Sequence, residues 1–341
     1  MRPIPLLQLG HGTIGKELFH QISLQRATLR STHGIDLAYC AVATSKEITR
    51  YDQGHARHSP YTGWNQLRPL LKELPHAIVI DVTAAPLTDI HQEILTAGGK
   101  VVTSNKKPLA GTMNAYHALH ADTRRYRYET TVGAGLPVIS TLQDLIATGD
   151  EIEEIQGAFS GTLGYVCAEL GKQKKPFSQI VAEAKEKGYT EPHPQDDLGG
   201  IDVARKALIL AREIGVRLEL SDICVQGLTP DEIAGVQDVP SYLIRLKNLD
   251  EEYARRVRVW KQKKSEPRFV ARMTREKVTI GLEGVPADSP LGRLQGPDNL
   301  ILLRTQRYHD RPLVIQGPGA GAAVTAAGVF ADILKVCTLF T

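Results

Sequence analysis

Ile4-Pro5-Leu6-Leu7-Gln8-Leu9 is a short apolar run, followed at once by Gly10-His11-Gly12-Thr13-Ile14-Gly15 and a helical pattern from Lys16 to Leu24. Strand, glycine turn and helix in that order open a βαβ unit, which commits the chain to a parallel sheet. The first glycine permits a tight turn, and the second lets backbone approach a pyrophosphate. The third lets the helix pack on the strand, with its N-terminus toward the anion. Such a turn cradles a dinucleotide. The second strand is expected over Ile35 to Val42, where an NAD-selective site places an acid near the strand end. Ala43-Thr44-Ser45-Lys46 follows instead. Two hydroxyls and Lys46 suit a 2′-phosphate, so NADP is favoured and NAD stays open. The alternative for Lys46 is a solvated loop residue.

The alternation continues. Ala77 to Val82, Lys100 to Ser104 and Tyr126 to Thr131 read as strands, with helices near Asp89 to Ala97 and Thr112 to Arg124. Strands alternating with helices predict an α/β fold with a Rossmann-type, doubly wound parallel sheet. Residues 138–149 read as a helix and Glu151 to Phe159 as a strand leaving the first domain, and two helices fall within 176–214. From about 235 to 316, short strands and turns dominate. This predicts a second, α+β domain with helices on one face of a sheet. The expected division is 1–137, completed by a C-terminal helix over 322–341, and 138–321 for substrate, catalysis and subunit contact.

Within the second domain, residues 188–206 are the most informative stretch. A Pro-flanked loop carries Glu191 and leads to Asp196 and Asp197 at the expected start of a helix. Asp202 and Lys206 follow four residues apart, on one face and within reach of each other. A carboxylate beside an ammonium handles protons, because each charge fixes the protonation of its neighbour. The plain alternative is an exposed ion pair, common and individually weak. Ile201, Ala204, Leu208 and Ala211 form the expected buried stripe, which places the pair to one side of it.

Composition excludes several classes. A length of 341 residues with 42% hydrophobic content supports two cores. The net charge of +3 gives no reason to expect a polyanionic partner. Arg255 to Lys277 holds ten basic residues alternating with Val257, Val259, Phe269 and Val270, which reads as the wet face of a sheet and not as a nucleic-acid site. Cys40, Cys167, Cys224 and Cys337 are far apart, in keeping with a reducing, cytoplasmic setting. No apolar run approaches the ~20 residues that cross a bilayer, and no signal-peptide layout is visible. His55/His58 and His117/His120 lack metal-site company and read as solvated helix or loop positions.

Taken together, the motifs resemble the homoserine dehydrogenase family. The likeness runs from the glycine turn through Thr103-Ser104-Asn105-Lys106-Lys107, Tyr128 to Pro137 and Phe159-Ser160-Gly161-Thr162. It continues through the 188–206 block to Gly317-Pro318-Gly319-Ala320-Gly321 and the helix beyond. The resemblance implies reversible reduction of L-aspartate 4-semialdehyde to L-homoserine with NAD(P)H, in a cytoplasmic homodimer. It implies Lys206 as the catalytic lysine with Asp202 as its partner. Glu191 would hold substrate, with Asp197 and Lys106 beside it. Cofactor contacts would fall on Gly10, Gly12, Thr13, Ile14, Gly15, Lys46, Thr83, Asn105, Lys106, Gly188 and Gly319. A monovalent cation such as Na⁺ would be held by Glu129 with the backbone carbonyls of Val132, Ala134 and Leu136, an oxygen-only set suited to a hard ion. The alternative for that loop is a plain glycine-rich turn.

Gly164 stands where the family often has Asn, and His193 where it often has Asp. The chain stops at Thr341 without the regulatory module that many relatives carry, which puts feedback by threonine in doubt. Two rivals are weighed. A phosphorylating semialdehyde dehydrogenase needs a Cys nucleophile in a Gly- or Asn-framed turn, and none of the four cysteines has that setting. A non-catalytic nucleotide-binding module would not be expected to keep Lys106, Glu191, Asp202 and Lys206 together.

Overall fold

The computed structural model describes residues 3–52, 55–60 and 63–338. The chain divides into two compact units, Met1–Ile139 with Ala320–Thr341, and Ser140–Gly319.

In the first unit, strands β1 (Ile4–Leu9), β2 (Leu37–Ala43), β3 (Glu47–Asp52), β4 (His55–Pro60), β5 (Ile78–Asp81), β6 (Lys100–Thr103) and β7 (Tyr126–Arg127) form one sheet, ordered β4-β3-β2-β1-β5-β6-β7. The β2-β1-β5-β6-β7 stretch is parallel, as the alternation predicts. Helices α1 (Thr13–Thr28), α2 (Leu67–Glu73), α3 (Thr88–Thr96), α4 (Lys106–Leu109) and α5 (Met113–His120) connect its strands. Leu6, Ile78, Ile80 and Val102 from the strands meet Leu18 and Ile22 of α1, and Val329 and Ile333 of the C-terminal helix, in one buried core.

Two local expectations fail here. Tyr126 to Thr131 is strand for two residues only, because the Glu129 amide donates to the Asp332 carboxylate at 2.9 Å and the chain turns through Glu129–Thr131. His55 and His58 lie on the exposed strand β4, not on a helix or loop; β3 pairs antiparallel with β2, and β4 antiparallel with β3.

The second unit begins at Ser140, within α6 (Val138–Ala147). It comprises β8 (Ile152–Ala158), α7 (Gly161–Lys172), α8 (Phe177–Glu186), α9 (Gln195–Leu198), α10 (Ile201–Glu213), β9 (Cys224–Val225), α11 (Asp231–Ala234), α12 (Val239–Arg245), α13 (Asp250–Gln262), β10 (Ser265–Met273), β11 (Val278–Pro286), α14 (Pro290–Arg293), β12 (Asp298–Thr305) and β13 (Leu313–Pro318). Its sheet runs β13-β12-β8-β10-β11-β9, antiparallel except for β11 with β9. Helices α7, α10 and α13 pack on β10.

The basic segment is therefore half helix. Tyr253 and Val257 are buried one turn apart, and Asp250, Glu251 and Glu252 favour a helix N-terminus, so α13 forms where strand alternation suggested a sheet. Only Phe269 and Val270 of the four apolar residues named there belong to a strand. The last helix, α15 (Ala322–Cys337), returns to the first unit; residues 339–341 of the expected helix lie outside the described residues. No helix among the described residues is long and apolar enough to cross a membrane.

Candidate active site

The glycine turn is closed by a side chain from the strand before it. Gln8, polar within an apolar strand, is fully buried. Its amide nitrogen donates to the Gly10 carbonyl at 2.8 Å and the Gly15 carbonyl at 3.1 Å, and its oxygen accepts the Tyr39 hydroxyl at 2.9 Å. Gly10 has φ +97°, a conformation that favours glycine, and a Cβ there would meet Thr83 Cγ2 at 3.0 Å. A Cβ on Gly15 would stand 2.4 Å from the Gly10 carbonyl oxygen. Gly12, by contrast, has nothing within 4 Å of where a Cβ would point. The turn thus keeps open space at its middle glycine and opens the α1 N-terminus at Thr13 and Ile14. That combination fits a pyrophosphate. Burial lowers the pKa of His11 within the turn, Lys16 adds to the effect, and Glu47 opposes it.

Lys46 is exposed, in a turn where the Lys46 and Glu47 amides donate to Thr44 Oγ1 at 3.2 and 3.1 Å. Glu47, an acid one position beyond Lys46, starts β3 at the end of this turn. At the ends of β5 and β6, Thr83 and Asn105 are tied to Asp81. Thr83 donates to Asp81 Oδ1 from its amide at 2.9 Å and its hydroxyl at 2.7 Å, while Asn105 Nδ2 donates to Asp81 Oδ2 at 2.9 Å. The Asn105 oxygen caps α4 through the Lys107 amide, which places Lys106 at the first turn of that helix, half-buried.

In the loop expected to hold a cation, the acid is fixed within the fold. Glu129 is buried; its Oε1 accepts the Ile139 amide at 2.7 Å, and Lys335 Nζ lies 3.5 Å from its Oε2. Asp332, whose carboxyl burial pushes above the ordinary range, accepts the Glu129 amide. The other three expected ligands are the backbone carbonyls of Val132, Ala134 and Leu136. Of these, Leu136 already accepts the Val138 amide at 2.8 Å, and Ala134 has φ 54°.

In the second unit, Lys206 is the centre. Its ammonium stands 2.7 Å from Asp202 Oδ2 and donates to the Phe159 carbonyl at 2.8 Å. Its side chain is 12% exposed and that of Asp202 44%. The pair is not the fully exposed one of the plain alternative. Ala204, Leu208 and Ala211 are buried as expected, but Ile201 is 43% exposed. Gly200 at φ +73° separates α9 from α10, so Asp196 and Asp197 belong to a short helix of their own and Ile201 begins α10 ahead of its buried stripe.

Asp197 organises the loop before it. Its Oδ2 accepts the Glu191 amide at 2.7 Å and its Oδ1 the Thr162 hydroxyl at 3.0 Å, and Thr162 also bonds the Tyr189 carbonyl. Burial pushes the Asp197 carboxyl above the usual range, against the pull of those two donors. Glu191 itself is exposed. His193 is structural: Nε2 lies 3.0 Å from the Val236 carbonyl, and Nδ1 accepts the Gln195 amide at 3.2 Å. Gly164 is on α7, where a Cβ would find only the Gly296 carbonyl, at 3.6 Å. Gly188 has φ +69° and closes α8 by donating to the Lys185 carbonyl at 2.9 Å. At Gly319 a Cβ would fall within 2.1 Å of three Asn299 side-chain atoms, so only glycine fits.

Residues 10–131 match the family model for the NAD-binding domain of homoserine dehydrogenase, and residues 137–334 match that for homoserine dehydrogenase itself. A homoserine dehydrogenase of Paracoccidioides brasiliensis is 40% identical, over 82% of this chain and 80% of that protein. A chloroplastic bifunctional aspartokinase/homoserine dehydrogenase of Zea mays is 39% identical over 96% of this chain, which spans only 38% of that relative's length. A crystal structure of a Candida auris protein of unknown function superposes with a TM-score of 0.89, at 30% identity and 99% coverage of both chains. The glycine cradle, the lysine–aspartate pair and these matches agree: the chain belongs to the homoserine dehydrogenase family.

Proposed function

We propose that the chain is a cytoplasmic, homodimeric enzyme that reversibly reduces L-aspartate 4-semialdehyde to L-homoserine with NADPH in preference to NADH. The observation that carries the reading is the Lys206 ammonium, largely buried and held between Asp202 Oδ2 and the Phe159 carbonyl. The nicotinamide, when bound, supplies the hydride. The aldehyde oxygen then needs a proton, which Lys206 Nζ donates in reduction and takes back in oxidation. Asp202 fixes the ammonium's position and charge. Glu191 faces the substrate's α-ammonium, and Asp197 holds the Glu191 backbone amide that sets the loop's path. Lys106 receives the α-carboxylate.

Gly10, Gly12, Thr13, Ile14 and Gly15 hold the pyrophosphate, with Thr83, Asn105, Lys106, Gly188 and Gly319 completing the cofactor contacts. Lys46 takes the 2′-phosphate while Glu47 beside it opposes that charge, so the two set the cofactor ratio. Glu129 and the loop carbonyls of Val132, Ala134 and Leu136 hold Na⁺.

The test is homoserine-dependent reduction of NADP⁺ by the purified chain. Turnover with L-homoserine and none with 2-hydroxy acids supports the reading; no reduction with homoserine sinks it. Exchange of Na⁺ for a large organic cation is expected to lower turnover, and an unchanged rate removes the cation from the proposal.

A further inference from the structure

The dehydrogenase reading uses the loops after β5 and β6 and leaves the buried polar cluster beneath them without a role. Asp81 ends β5, and Asp81, His91 and Tyr126 are all fully buried. One carboxylate ties both loops: Oδ1 accepts the amide and hydroxyl of Thr83, and Oδ2 accepts Asn105 Nδ2. Each tie is extended. Thr83 Oγ1 accepts the Ala85 amide at 3.0 Å, and Asn105 Nδ2 also donates to the Ala85 carbonyl at 2.7 Å. Thr83 in turn lies against Gly10 of the glycine turn.

Behind the carboxylate, His91 of α3 holds Nε2 3.1 Å from Asp81 Oδ2, although not along a hydrogen-bond direction. Its Nδ1 is 3.0 Å from the Tyr126 hydroxyl of β7. A carboxylate repels a ring lone pair, so the tautomer that fits carries its hydrogen on Nε2 and accepts the Tyr126 hydroxyl at Nδ1. A buried carboxylate is costly to keep unless it is surrounded by such donors. Two loop side chains and a helix, the last backed by a strand, therefore surround one carboxylate at the carboxyl ends of parallel strands, where a doubly wound sheet binds its ligand.

We propose that Asp81, backed by His91 and Tyr126, is a positioning residue for the dinucleotide, fixing Thr83 and Asn105 for the cofactor without touching it. The proposal rests on the dehydrogenase reading and adds residues to it. In Asp81→Asn the amide would turn a donor toward Asn105 Nδ2 and His91, while Oδ1 would still serve Thr83. The loop after β6 is then released and the loop after β5 is retained.

The experiment titrates NADPH into the whole chain without substrate, reading nicotinamide fluorescence, for the native protein, Asp81→Asn and His91→Leu, with thermal unfolding measured alongside. Loss of one buried charged hydrogen bond corresponds to an increase of about ten- to hundredfold in the NADPH Kd. The KM for homoserine is expected to rise with it, because the released loop also carries Lys106; the Kd measured without substrate isolates the effect on the cofactor. A folded Asp81→Asn with native NADPH Kd and only a lower Tm overturns the proposal and leaves the cluster structural. If Asp81→Asn does not fold, His91→Leu decides in the same terms: a raised Kd supports the proposal and a native Kd overturns it. A native chain that fails to bind NADPH fails differently, since that result removes the dehydrogenase reading itself.

Discussion

At the scale of single residues, the account turns on charges placed where water is partly excluded. Asp202 and Lys206 act as a unit, so their effects are not additive. Asp202→Asn is expected to lower kcat, and the double variant to be little worse than Lys206→Ala alone; additive losses measured in a double-mutant cycle would contradict a shared role. Lys46→Ala is expected to raise the KM for NADPH more than that for NADH, and Glu47→Ala to shift the ratio the other way. Equal losses for both cofactors in Lys46→Ala would remove the 2′-phosphate contact. Asp197 supplies a pH signature. Burial raises its folded pKa above the unfolded value of about 3.9. The folded chain holds that proton more tightly, so the contribution to stability is present below the unfolded pKa and fades as pH rises through the folded one. Asp197→Asn does not titrate at this position. Its stability deficit against the native protein is therefore expected to shrink from about pH 4 upward. A deficit in Tm that widens over that interval would contradict the assignment.

Among the elements, the closest approach is between α15 and the 130–135 loop. A Cβ on Gly135 would meet the Val324 carbonyl oxygen at 2.3 Å, and one on Gly328 would stand 3.0 Å from Gly135 Cα. Backbone blocks the first position, so Gly135→Ala is expected to destabilise the fold by about 1–3 kcal/mol, and an unchanged denaturation midpoint would contradict the packing. The same loop shows what sequence can carry. The glycine turn, the parallel strands and the Asp202–Lys206 spacing are local patterns, and the chain follows them. The end of β7 is decided by Asp332, more than two hundred positions away from the Glu129 amide it captures, and no local window contains that bond. Helix α13 was legible only at helical period, through Tyr253 and Val257; the interleaved arginines concealed it. Strand β4 is exposed along its whole length and has no alternation to read. In the site, Lys206 and Asp202 could be found from spacing. Gln8 and Asp81 left only the weak signal of a polar residue in an apolar strand, because Tyr39 and Asn105, which complete their bonding, lie 31 and 24 positions away.

For the whole molecule, the first unit provides a dinucleotide cradle and the second a buried lysine–aspartate pair, and the proposed chemistry requires both. Light scattering on the eluting chain is expected to report a dimer; a monomer with full turnover would remove the subunit claim. The most direct test of the central claim is NADPH oxidation with L-aspartate 4-semialdehyde, followed for the native chain and Lys206→Ala, with NADPH binding measured on both. The native chain is expected to turn over, with a fall in kcat of ~10²–10⁴ in Lys206→Ala, the span of a positioned acid or base, and an unchanged NADPH Kd. A native chain that leaves NADPH unoxidised, or a Lys206→Ala variant with near-native kcat, would contradict that claim.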